Sequence, residues 1–125
     1  MTAPVVQVLN SGDRNHVINV IGEADTAGGT IVDVATLAAS STGRAVASVS
    51  LSSLTFSTDK AIKVDWDADA DKTFLALGAG SDSIDYRAIG GLINDAGAGV
   101  SGDVVIPAPT SASNYTITAS FKKKY

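Results

Sequence analysis

In Tyr115-Thr116-Ile117-Thr118-Ala119-Ser120-Phe121 every second residue is apolar and every residue between is a small hydroxyl or polar one. A period of two places the apolar set on one face of a pleated strand and the Thr/Ser set on the other. The same period returns upstream. Ile62, Val64 and Trp66 alternate with Lys63, Asp65 and Asp67, and Ala45, Ala47, Val49 and Leu51 alternate with Val46, Ser48, Ser50 and Ser52. Beyond Leu51 the parity changes, since Leu54 and Phe56 become the apolar positions, so a bulge or bend is expected at Ser52-Ser53. Shorter β-branched or apolar runs cover 16–21, 30–37, 73–77, 83–89 and 103–106. The segment Gly78-Ala79-Gly80-Ser81-Asp82 has the composition of a hairpin connection between the third and fourth of these. Extension is favoured over a helical turn through Val32-Asp33-Val34. No stretch holds an apolar stripe of helical period across three turns.

Seven to nine short strands with frequent turn signals predict an all-β fold, a single-domain antiparallel β-sandwich or jelly-roll-like barrel. Residues 1–12 read as an N-terminal arm or first strand, 13–121 as the sandwich, and 122–125 as a basic C-terminal tail.

Composition bounds what such a domain does. Ala, Ser, Gly and Thr fill 56 of the 125 positions, whereas Glu, His, Trp and Met occur once each and Cys not at all. Disulfides, thiol chemistry and Cys-based zinc sites are therefore excluded. A net charge of −4 opposes nucleic-acid binding as the main role, because phosphate contacts need clustered cations. No apolar run is long enough for a membrane helix, and the start lacks a signal-peptide pattern, which predicts synthesis and folding in a cytoplasm. Charge is uneven: seven Asp and three Lys lie within 59–85, and Lys122, Lys123 and Lys124 crowd the end. Three terminal lysines suit either an acidic partner surface or an edge strand guarded against stray pairing.

The chemical motifs are thin. Asp65, Asp67, Asp69 and Asp71 are candidate calcium ligands, but an EF-hand loop begun at Asp67 meets Lys72 and Gly78 where Gly and Glu are required. Begun at Asp65, it meets Ala70 and Ala76. An acidic turn whose carboxylates accept backbone hydrogen bonds is the simpler expectation. Gly97, Gly99 and Gly102 have G-x-G-x-x-G spacing, yet a strand follows them instead of a helix, so no phosphate cradle is expected. His16 is the only imidazole and is expected at a strand edge or interface; no G-x-S-x-G elbow accompanies it. Trp66, in phase with Ile62 and Val64, is expected inside. No enzyme activity and no cofactor is predicted.

From residue 59 onward the chain resembles small virion proteins of tailed bacteriophages. The likeness lies in Lys63-Val64-Asp65-Trp66-Asp67, Tyr86-Arg87-Ala88-Ile89-Gly90-Gly91, Asn94-Asp95-Ala96-Gly97-Ala98-Gly99-Val100-Ser101-Gly102-Asp103 and the alternating last strand with its lysines. It covers about half the chain, and its nearest type is the head decoration, or cement, protein. That resemblance implies a non-enzymatic protein on the capsid surface, made in the host bacterial cytoplasm. Its implied partners are the major capsid protein and copies of itself as a dimer or trimer, with no nucleic acid, membrane or small-molecule substrate. Contacts are expected from Val5, Val6, Val8 and Leu9, from Gly97 and Gly99, and from Lys122, Lys123 and Lys124. Alternatives are a neck or tail component, or a carbohydrate-binding sandwich using Trp66, Tyr86 or the Asp65 to Asp71 stretch.

Overall fold

The alternation at 115–121 does form a strand, and that strand organises the molecule. A computed structural model describes residues 4–12, 14–37, 39, 42–97, 99, 101–109 and 111–125. Its strands are β1 (Val5–Ser11), β2 (Asn15–Asp25), β3 (Gly29–Val32), β4 (Ser48–Thr58), β5 (Ile62–Trp66), β6 (Lys72–Leu77), β7 (Gly80–Asp85), β8 (Val104–Ile106) and β9 (Ser113–Lys124). Two 3₁₀ turns, Val34–Thr36 and Arg87–Ile89, are the only helical elements among the described residues. One sheet has the order β1-β2-β9-β4-β7 and the other β3-β8-β5-β6, with antiparallel pairing throughout.

The strand order has a simple origin. β5 pairs with β6, β4 with β7, β3 with β8 and β2 with β9. The chain is thus one long antiparallel ribbon, doubled back at 67–71 and wound so that successive lengths fall alternately in the two sheets. Lateral pairing of β4 with β9 and of β5 with β8 zips the windings together. This is a jelly-roll sandwich of eight strands, with β1 added at one edge.

The core lies between the sheets. Ile18 and Val20, Val49, Leu51, Leu54 and Phe56, and Tyr115, Ile117, Ala119 and Phe121 face inward from the five-stranded sheet. Ile31 and Val32, Ile62, Val64 and Trp66, Leu75 and Leu77, and Val104 and Ile106 meet them from the other. Trp66 is fully buried, its ring stacked on Phe74 with centroids 3.8 Å apart and planes 13° from parallel. The parity change in β4 is a bulge: Leu51 pairs with Phe121 and Ser53 with Ser120, leaving Ser52 extra.

Several local expectations are corrected. The apparent hairpin at 78–82 joins strands of different sheets, because β6 pairs with β5 and β7 with β4. A short Gly-rich link serves a corner as well as a hairpin, and the true hairpin end is the acidic stretch after Trp66. Strand character in 30–37 stops at Val32. Asp33 accepts a hydrogen bond from Ala35 N (3.0 Å) and Thr36 Oγ1 donates to Asp33 O (2.7 Å), closing a turn instead. The run 83–89 ends as a strand at Asp85, whose carboxylate accepts from Arg87 N at 2.9 Å. β4 begins at Ser48; Ala45 and Ala47 are exposed and Val46 is buried, the reverse of the expected faces. The three lysines are no tail: Lys122, Lys123 and Lys124 are paired β9 residues in the middle of a sheet.

Candidate functional site

The first candidate surface is the edge made by β1. Its partner β2 is tied down from within by Asp25, which is fully buried and accepts from Tyr115 Oη (2.6 Å), Ala27 N (2.9 Å) and Gly28 N (3.0 Å). Burial alone raises the Asp25 pKa, but those three donors outweigh it and the carboxyl titrates below its usual value. The same burial, with the carboxylate beside it, pushes the Tyr115 phenol up. Tyr115 reaches Asp25 by lying across Gly22, where any Cβ would overlap the aromatic ring. Residue 22 has to be glycine for that crossing.

On this support β1, among the described residues, pairs along one side only. Val8 stands opposite Ile18 and Val5 opposite Ile21, so Val8 shares the core face and Val5 the outer face. Ile18 is completely buried whereas Val8 is 56% exposed, which means that β1 overhangs the four-stranded sheet. Leu9, 51% exposed, sits at a bulge between Val8 and Asn10. Val5 is 66% exposed, and only Val6 of this strand packs partly against the core. No residue of Val5–Ser11 is charged.

The far end of β2 and β9 holds a polar core extension. His16, expected at an edge, is buried in a strand flanked on both sides, with Nδ1 3.0 Å from Ser11 Oγ. Desolvation, then the nearby Lys123 ammonium, lowers its pKa. Lys123 is itself buried on the core face, and its Nζ has no hydrogen-bond partner among the described residues. Lys122 and Lys124, on the opposite face, are exposed. The lysine run therefore supplies two surface cations and one core residue.

The acidic stretch is dispersed by its own hairpin turn. Asp67 Oδ2 accepts from Ser101 Oγ (2.5 Å), and Asp71 Oδ1 accepts from Ala68 N (3.0 Å). Asp69 packs against Gly99, where a Cβ would overlap its carboxyl. Asp65, expected to face solvent, is buried beneath a groove of about 330 Å³ walled by Pro107, Ala108 and Pro109. Pro107 follows directly on the last residue of β8, Ile106, and lacks the amide proton that a further ladder bond would need. No three His, Asp or Glu side chains among the described residues are grouped to hold a metal ion. Gly97 is exposed with open space around it; Ala98 and Val100, its neighbours in the Gly-rich stretch, lie outside the described residues.

A second concavity was not legible in the sequence. It has a volume of about 360 Å³ and lies on the outer face of the five-stranded sheet, where Asn15 and Lys122 meet the Ser52 bulge. The chain beyond β7 folds back over this place: Tyr86 N donates to Ser52 O (2.8 Å), and Leu92 exchanges both backbone bonds with Leu51. Arg14 and Arg87 complete its lining with Gly90 and Gly91. Among the described residues no helix is long and apolar enough to cross a membrane. No protein-family model, curated protein or solved structure matches the chain.

Proposed function

We propose that this chain is a non-enzymatic structural protein of a tailed-phage virion that decorates and stabilises the capsid. Its partners are major capsid protein neighbours and copies of itself, met through the β1 edge. The observation that carries this reading is that edge: seven residues without a charge, pairing on one side only among the described residues, with Val5, Val8 and Leu9 each more than half exposed. An open row of backbone donors and acceptors beside apolar side chains is what strand addition uses. Left in water, the same edge invites unwanted pairing, so an occupant is its natural complement. Repetition over a lattice turns modest contacts into firm attachment.

The winding of the strands agrees with this role without selecting it, since jelly rolls build viral capsid domains and lectins alike. Side-chain placement favours contact over chemistry. The single imidazole is buried beside an ammonium group, and the single indole offers no ring face to a sugar.

Quantitative gel densitometry of purified virions tests the proposal. The expected result is on the order of hundreds of copies per particle, as repeated lattice contacts require. About a dozen or fewer would move the protein to the neck or tail, where closed rings set the copy number. Absence from the particle overturns the proposal.

A further inference from the structure

We propose that the cleft between the start of β2, the end of β9 and the chain beyond β7 binds an oxyanion, either free phosphate or a carboxylate presented by a protein partner. Charge is the first argument. The chain carries −4 overall, yet no carboxylate is among the cleft's lining residues, and Arg14 and Lys122 have no ion-pair partner among the described residues. Two unneutralised cations in one concavity make a local field opposite to that of the whole molecule.

Geometry is the second. Asn15, Lys122 and Ser50 form one cross-strand row, so the amide, ammonium and hydroxyl stand side by side on the sheet's outer face. Ser52 lines the hollow with its hydroxyl, whereas Ser50, 1% exposed, lies beneath its wall, and the Ser50 Oγ, a buried hydroxyl, has no hydrogen-bond partner among the described residues. Such groups are rarely left unsatisfied in a folded protein. Gly91 covers it: a Cβ there would stand 3.5 Å from Ser50 Oγ and 2.9 Å from Leu51 O, so only glycine, at φ +89°, lets the backbone close down this far. The Ser52 bulge provides the hollow beside it.

Arg87 is the third. Asp85 holds it through Nε (3.0 Å) and Nη2 (2.7 Å), fixing the plane of the guanidinium and leaving Nη1 without a partner among the described residues. A guanidinium fixed in this way loses little side-chain freedom when it donates to an oxyanion. Ammonium, guanidinium, amide and hydroxyl donors around one hollow, with no competing acid in the lining, are the complement of an oxygen-rich anion.

The experiment is an NMR amide titration of the full chain at constant ionic strength, with inorganic phosphate in one arm and a tetra-aspartate peptide in the other. Saturable shifts confined to residues 14–15, 50–52, 87–91 and 122 are expected in at least one arm. Tighter binding of phosphate identifies a free anion as the ligand; tighter binding of the peptide identifies a presented carboxylate. Arg14→Ala with Lys122→Ala is expected to weaken binding by roughly tenfold or more, as loss of charge-assisted bonds does. Val8→Lys, at the β1 edge, is expected to leave binding unchanged, so this inference and the capsid reading fail separately. Shifts that stay linear in both arms, or that survive the double substitution, overturn it.

Discussion

The two edges of the five-stranded sheet are built on opposite principles. At one, β7 reads Gly-Ser-Asp-Ser-Ile-Asp: its serines bond across to β4 through Thr55–Ser83 (3.0 Å) and Ser57–Ser81 (3.1 Å), and Asp82 and Asp85 carry charge. At the other, β1 reads Val-Val-Gln-Val-Leu-Asn-Ser, with neither charge nor proline inside the strand. Short polar side chains and carboxylates discourage a neighbouring strand, while an uncharged apolar edge welcomes one. The contrast separates an edge guarded against strand pairing from an edge without such guards. The shorter sheet sharpens the point, because it stops before β1 and leaves Val8 uncovered on the side that elsewhere would be core.

The largest effect is expected from changing β1 itself. Val8→Lys places an ammonium in the proposed seam and should reduce attachment to purified capsid shells, measured by co-sedimentation, by about a hundredfold, the order expected for an unpaired charge at a contact. Asp82→Lys, on β7, should leave attachment unchanged; equal losses would erase the distinction between the edges. The next effect lies in the support beneath β1. Tyr115→Phe leaves Asp25 buried with one donor fewer and should cost about 1–3 kcal/mol of unfolding free energy in a denaturant titration. A smaller, pH-dependent effect is expected at the opposite end of β2. The His16 pKa is lowered on folding, so protonation favours the unfolded chain. Its contribution is therefore intact above the ordinary value of 6.5 and lost as pH falls below it. A thermal melt series from pH 8 to 5 checks this against His16→Gln, which should flatten that part of the curve.

Much of the fold was legible because period two survives wherever one face is buried. The alternation at 115–121, the Ile62-Val64-Trp66 face and the bulge at Ser52 all follow from side-chain parity alone. Strand partnership was not legible. Gly78 and Ala79 serve a corner between sheets, and a local turn signal says nothing about which strand waits beyond it. Lysines at the end of β9 imitate the guard of an exposed edge, although β2 and β4 flank that strand on both sides. The apolar first strand was readable as a contact candidate from Val5 to Leu9. The anion cleft was not: Arg14, Ser52, Arg87 and Lys122 are far apart in sequence, and only the winding of the ribbon collects them.

Placing the last of the nine strands at the centre of the sheet has a kinetic consequence. Until β9 inserts, the β1-β2 and β4-β7 pairs have no lateral connection, and β2 and β4 each lack one neighbour. The β2–β9 pairings join residues about a hundred positions apart, so loop closure must be met before contacts compensate it. Folding on the millisecond-to-second scale is expected from such a topology. During that interval the β9-facing edges of β2 and β4, strands of 11 residues each, stand open. Crowded synthesis of many copies would then set assembly of the central strand in competition with aggregation.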